Sequence, residues 1–200
     1  RAVAGPLARA DGRDTTGART NVVKKALAPA RLGTPRMSGE PIGPEHEAEI
    51  AELILDPRVY RTLWPWASSP TRADVRASLV DKRDHWERHG FGLWLLRDRD
   101  TGLMVGRGGL QYTDAIGGFA VEAAWTIAPE RWGEGLATEL AAASVGVAFE
   151  VLDLDDLIAI TLPDNLASRR VMEKTRFAFD RDIEHSGLSH VLYRRGPDPD

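Results

Sequence analysis

A mixed α/β fold around one sheet is predicted by three features of this 200-residue chain. The period is helical up to Gly90, turns strand-like just after it, and then runs helix, strand, helix and two closing strands. Taken in order, residues 1–22 are rich in Gly, Ala, Arg and Asp without periodicity and read as a tail ahead of one domain over 23–196. An extended segment is expected around Arg31–Pro41. Glu45–Leu55 follows Pro44 with apolar residues at Ala48, Ile50, Ala51, Leu53 and Ile54, a helix closed before Pro57. Val59–Trp64 predicts a short helical turn ended by Pro65. A longer helix starts at Ser69-Pro70-Thr71, carries Val75, Leu79 and Trp86 on one stripe, and stops at Gly90.

Beyond Gly90, Phe91–Arg97, Leu103–Gln111 and Phe119–Ile127 read as strands. Their connections are short, which predicts an antiparallel meander. Gly135–Leu152 reads as a long helix, apolar enough over 139–149 to lie against the sheet. Leu157–Leu162 is apolar throughout, as a buried strand would be. Asn165–Thr175 is a helix capped by Asp164 or Asn165. Phe179–Glu184 and His190–Arg194 close the chain as a hairpin-like pair.

The composition narrows the function classes. Hydrophobic residues make up 42% and charged residues 28%, as in ordinary globular proteins. No apolar run has the length of a membrane span. There is no cysteine, which removes disulfides, thiolate metal sites and a cysteine nucleophile, and fits a reducing cytoplasm. Residues 1–36 hold eight Arg/Lys against two acids, +6, so the rest of the chain carries −10 of the net −4. A basic tail on an acidic body could touch nucleic acid or serve as a solvated leader. The second reading is preferred, because no aromatic residues interleave with the charges.

The most informative segment is Pro129-Glu130-Arg131-Trp132-Gly133-Glu134-Gly135-Leu136-Ala137-Thr138, where a strand gives way to a helix. A helix start leaves N–H groups unpaired and carries partial positive charge. Gly133 and Gly135 remove side chains where a ligand would approach, Ala137 keeps the first turn slim, and Thr138 adds a hydroxyl. The segment therefore reads either as an anion site for phosphates or as a structural turn. The Gly-Lys-Ser/Thr of a nucleotide-triphosphate loop is absent, and a preceding meander strand argues against a dinucleotide fold.

Residues 129–139 resemble the acyl-CoA loop of the GNAT N-acetyltransferase superfamily, in its RimJ/RimL-like branch of ribosomal-protein N-terminal acetyltransferases. Trp132 takes the first place of the loop, and Gly135 and Ala137 take the last two. Asn165-Leu166-Ala167-Ser168-Arg169-Arg170-Val171-Met172-Glu173-Lys174-Thr175-Arg176-Phe177 resembles the family's next helix, with Arg176 where the family has Gly. Thr34-Pro35-Arg36-Met37 resembles the branch's first strand. The resemblance covers about residues 31–194. It implies a mostly antiparallel sheet, flanked by helices and splayed between the fourth and fifth strands, 119–127 and 157–162.

The resemblance also implies acetyl-CoA as co-substrate, a primary amine as acceptor, and no metal. Trp125 and Ile127 would face pantetheine with their backbone, and the Ile127 N–H would donate to the thioester oxygen. Trp132, Gly133, Glu134, Gly135, Leu136, Ala137 and Thr138 would surround the pyrophosphate, and Asn165 and Ser168 would reach the pantetheine arm. Glu122, in an apolar stretch that could raise its pKa, is the candidate base; the alternative is a surface or salt-bridged strand residue. The family's helix Tyr, a proton donor, is replaced by Met172. Ser168, one turn earlier, is the substitute candidate, or simply a helix hydroxyl. Without that Tyr, a non-catalytic CoA sensor stays open beside the enzyme, as does a larger acyl group. His85 and His89, at i and i+4, suggest a metal clip with no third ligand. Trp64 and Trp66 fit an acceptor wall or the core. The acceptor pocket is expected from 56–71 and the 185–190 hairpin, and a monomer and a homodimer are equally compatible.

Overall fold

The computed structural model describes residues 27–63 and 70–199. The 1–22 tail, Trp64 and Trp66 lie outside these residues. The extended segment at 31–41 is two strands, β1 (Leu32–Gly33) and β2 (Met37–Pro41), folded on each other across Thr34–Arg36. A single 3-10 turn at Pro44–His46 leads into α1 (Glu47–Leu55), which is followed by α2 (Pro57–Leu63) and α3 (Arg72–His89). Thr71 caps α3: its hydroxyl accepts the Asp74 N–H, while the Asp74 carboxylate takes the Thr71 N–H. Gly90 ends it with a left-handed φ of 74°.

The meander forms as expected. β3 (Leu93–Asp98), β4 (Met104–Thr113) and β5 (Ala120–Ile127) pair antiparallel in sequence order. α4 spans Leu136–Gly146, and the remainder of the predicted long helix is a π-helical turn at Val147–Val151. β6 (Leu157–Thr161), α5 (Leu166–Lys174), β7 (Ala178–His185) and β8 (Leu188–Arg195) complete the chain. The eight-stranded sheet runs β1-β2-β3-β4-β5-β6-β8-β7. β8 inserts between β6 and β7, antiparallel to both.

One junction differs from the rest. β5 and β6 run parallel and are bridged only at Glu122↔Ile158. Past that point they separate, so the C-terminal halves of two neighbouring strands face an opening. It falls between the strands of 119–127 and 157–162, the fifth and sixth here because the first extended segment is two strands. Both strands lead into helices at this same end, α4 from β5 and α5 from β6.

Each face of the sheet has its own core. Trp94, Leu96, Leu110, Ala123 and Ile127 pack against Leu136 and Leu140 of α4. Leu93 and Leu95, alternating with Trp94 and Leu96 along β3, pack on the other face with Ile50, Leu53, Val75 and Leu79. Gly108 sets how closely α4 approaches: a Cβ there would lie 2.6 Å from Leu140 Cδ2 and 2.4 Å from the Ala124 carbonyl.

The turn after α5 is a Schellman cap. The Phe177 N–H donates to the Met172 carbonyl at 2.9 Å and the Arg176 N–H to the Glu173 carbonyl at 3.1 Å. Phe177 buries its ring in the same core as Met172. Arg176 holds the left-handed position at φ 64°, where the family pattern has Gly. The geometry is kept, at a backbone cost of about 1 kcal/mol. No helix among the described residues is long and apolar enough to cross a membrane.

Candidate active site

The first wall of the opening is backbone. The Ala128 N–H bonds the Val105 carbonyl on β4 at 2.9 Å. Alternation along a strand then turns the N–H and C=O of Ile127 and Trp125 the other way, toward β6, where no strand partner meets them. The Ile127 carbonyl accepts the Trp132 indole N–H at 2.7 Å, which folds the half-exposed Trp132 back onto the strand end. Ile127's N–H is left facing the opening.

The second wall is the start of α4. Gly133 and Gly135 adopt φ of 84° and 81°. A Cβ at Gly133 would meet nothing within 4 Å, and one at Gly135 would meet only Arg36 Nη2 at 3.7 Å. The backbone conformation, and not crowding, demands glycine at both positions. No side chain caps α4. The first backbone bond into the helix comes from Glu139, whose N–H reaches the Gly135 carbonyl at 3.1 Å. The N–H groups of Leu136, Ala137 and Thr138 have no acceptor among the described residues.

This loop is braced from three elements. Arg36 donates through Nη1 to the Glu134 carbonyl at 2.9 Å and through Nε to the Glu139 carboxylate at 2.7 Å. The Thr34 hydroxyl donates to Glu139 at 2.6 Å. Arg131 joins Glu134 to Asp98 at the end of β3, so the Glu134 carboxylate is held aside by a cation. Arg58 of α2 reaches Glu130. The Thr34–Arg36 motif, read from sequence only as part of a strand, is therefore the clamp on the helix start.

The third wall begins at α5. Asn165 caps it: its Oδ1 accepts the Ser168 N–H at 3.1 Å, which leaves the amide NH2 for other partners. Ser168 stands one turn before the buried Met172, on the same flank of the helix. A cavity of about 560 Å³ lies at this end, lined by Arg61, Thr62, Leu162, Asn165, Leu188 and Ser189. The expected acceptor elements thus supply part of its lining. His185 and His190 do not line it; their rings stack with centroids 5.7 Å apart.

Glu122 lies at the closed end of the opening, 9% exposed, on the face covered by α1 to α3. Gln111, its partner across β4, donates from Nε2 to Glu122 Oε2 at 3.1 Å and accepts from Lys82 Nζ at 2.7 Å. Burial raises the Glu122 pKa, while the Gln111 hydrogen bond and the Lys82 charge pull it back. Burial, with the Arg107 charge next in size, lowers Lys82 to about 8. Neither Lys82 nor Gln111 was singled out in the sequence. The signal was present for Lys82, which falls on the buried α3 stripe of Val75, Leu79 and Trp86 at spacings of three and four.

The two-histidine pattern resolves differently. Tyr112 N–H donates to His85 Nε2 at 3.1 Å, and His85 Nδ1 meets the Phe91 carbonyl at 2.9 Å. Both ring nitrogens are committed to backbone, and burial lowers the pKa to about 4. His85 is a neutral structural bridge from α3 to β4. Among the described residues no group of three His, Asp or Glu could hold a metal ion.

The family model described as an acetyltransferase (GNAT) domain matches residues 39–178. The chain belongs to that family. The uncharacterized protein YkkB of Bacillus subtilis is 28% identical over 129 residues, 60% of this chain and 75% of its own. A Bordetella pertussis structure assigned to the GNAT acetyltransferases superposes with a TM-score of 0.71 at 24% identity, covering 83% of this chain and 99% of its own. A structure of the ribosomal-protein alpha-N-acetyltransferase RimL in complex with coenzyme A gives 0.67 at 16% identity, covering 85% and 99%.

Proposed function

We propose that this protein moves an acetyl group from acetyl-CoA to a primary amine, as an enzyme similar to the RimJ/RimL-like branch. One observation carries the reading. The opening between β5 and β6 is lined by unpartnered backbone N–H groups of Ile127 and of Leu136 to Thr138, with the buried Glu122 on its flank.

The pyrophosphate of acetyl-CoA would accept from the N–H groups at the start of α4, around Gly133–Thr138, with Trp132 and the neutralised Glu134 beside it. Pantetheine would pair with the free edge of Trp125–Ile127, and the amide NH2 of Asn165 would reach it from α5. A cavity of about 590 Å³ along α4, lined by Thr138, Phe149, Lys174 and Arg195 together with Glu150 and Asp198, would take the remaining phosphate at Lys174.

The amine nitrogen attacks the thioester carbon. A C–N bond forms and the C–S bond breaks, while the Ile127 N–H donates to the carbonyl oxygen as charge develops there. Glu122, five residues before Ile127 and so about 16 Å along β5, accepts the proton released from the amine through intervening waters. The CoA thiolate leaves and takes a proton from solvent, directly or relayed through the Ser168 hydroxyl, which regains its own from water. Burial poises Glu122 for this role by raising its pKa, and Lys82 acting through Gln111 keeps the carboxylate form within reach.

Free-thiol release from acetyl-CoA with a panel of amines, protein N-termini and small molecules, tests the proposal. Amine-dependent release is the expected result. Tight acetyl-CoA binding without release to any amine would instead support a sensor, the reading that Met172 in place of the family's Tyr favours.

A further inference from the structure

A half-buried cation on Glu122's face of the sheet has no ion-pair partner among the described residues. Arg107 points from β4 to the same face as Gln111 and Glu122, because residues 107 and 111 share strand parity and Gln111 pairs with Glu122. It pairs across the sheet with Thr126, at the level where β5 has already parted from β6. Arg107 stands about 13 Å along β4 from Gln111. Its side chain is half-buried, surrounded by protein yet partly accessible to solvent.

No ion pair or hydrogen bond reaches Arg107 from any described residue. Burial lowers its pKa to about 10, and its charge in turn lowers that of Lys82. Of the neighbouring charges, Lys82 and Glu122 are joined through Gln111, and the Asp81 carboxylate acts on Lys82 from α3. Arg107 therefore presents a cation with no direct partner among the described residues. A half-buried guanidinium without a partner is incompletely stabilised, and an anion that arrives with a ligand would complete it.

The ligand's side follows from the sheet. The opposite face is filled by α4, with Leu140 against Gly108. An amine that gives its proton to Glu122 must approach on Glu122's face, which is also Arg107's. Pantetheine is uncharged, so the anion belongs to the acceptor. A single positive charge is balanced by a monoanion, and a guanidinium binds a carboxylate through two parallel N–H bonds.

We infer that the acceptor carries a carboxylate close to its reacting amine, and that Arg107 is the residue that selects it. The inference rests on the proposed acetyl transfer. The carboxylate could be that of a free α-amino acid or the side chain of an acidic first residue in a peptide.

The test compares matched acceptors in the thiol-release assay: L-alanine, L-alaninamide, phosphoethanolamine, and amidated peptides starting with Asp or Asn. At least one carboxylate acceptor should exceed its neutral counterpart about tenfold in kcat/KM, the scale of one charged hydrogen-bonded contact. Arg107→Gln should erase that preference through KM, leaving acetyl-CoA affinity unchanged, and Arg107→Lys should restore part of it. Alanine over its amide would mark the amino acid as the source, and the Asp peptide over the Asn peptide the side chain. Equal use of charged and neutral acceptors, or preference for phosphoethanolamine, would overturn the inference. A second reading needs no turnover: thermal melting of wild type and Arg107→Gln. Without ligand, Arg107→Gln should melt at the same or a higher temperature, since it removes a half-buried charge that has no partner. L-alanine or the Asp peptide should stabilise only the wild type. A lower melting temperature for ligand-free Arg107→Gln would make Arg107 structural and end the proposal. If no amine is acetylated while this melting pattern appears, the acetyl-transfer reading fails and the anion site stands.

Discussion

The two sides of the β5–β6 opening are built from different materials. The α4 side is backbone: free N–H groups of a strand end and a helix start, held from three other elements by Arg36, by Asp98 through Arg131, and by Arg58. The face toward α3 is side chain: Glu122, Gln111, Lys82 and Arg107, drawn from one helix and two strands. The first side suits a cofactor that every member of a family shares. The second suits an acceptor that differs among members, because side chains change without disturbing the fold.

The largest effect is expected on the backbone side. Gly135→Glu puts a carboxylate against the pyrophosphate and should abolish acetyl-CoA binding in calorimetry. The chain should still fold, since the new Cβ meets only Arg36 and the left-handed backbone costs about 1–2 kcal/mol. Intact binding would remove the loop from the site. Next, Glu122→Gln should cut turnover about 10²–10⁴-fold with acetyl-CoA affinity unchanged, as for loss of a general base. Equal turnover would return Glu122 to a structural role.

A subtler change separates the network from its members. Glu122 acts as base only when ionised, so activity should rise with pH through its pKa. The Lys82 charge lowers that pKa. Lys82→Met should therefore move the acidic limb of the pH–rate profile to higher pH, and an unmoved limb would assign it to another group. Arg36→Ala removes a brace from the helix start without touching ligand. It should weaken acetyl-CoA binding by roughly tenfold, about 1.4 kcal/mol, with turnover at saturation preserved. The smallest effect lies outside the site: Arg176→Gly should stabilise the fold by about 1 kcal/mol in denaturant melts and leave activity alone, since the Asp198 ion pair it loses is exposed.

The same contrast governs what the sequence disclosed. The loop at 129–138 was legible because its function depends on local order: strand end, two glycines, helix start. The meander and the buried β6 followed from periodicity and short connections. The splitting of 31–41 into two strands was not legible, because a two-residue strand such as Leu32–Gly33 has no period to read. The π-helical end of the 135–152 helix left no mark either, since Val147–Val151 keeps the apolar pattern of a regular helix. On the acceptor side only Glu122 was found, by its apolar neighbours in the chain. Gln111, Lys82 and Arg107 join it through sheet register and the packing of α3, which one strand's pattern does not contain. Arg36 and Glu139 show the same limit, being partners a hundred residues apart.

The central claim is that acetyl-CoA is held by main chain at the β5–β6 opening. Amide hydrogen exchange with and without acetyl-CoA addresses it at the groups concerned. The account predicts new protection at Trp125, Ile127 and the amides of 133–138, with none in β1 to β3. Binding that leaves those amides exchanging at their free rates, or that protects a different part of the sheet, would contradict it.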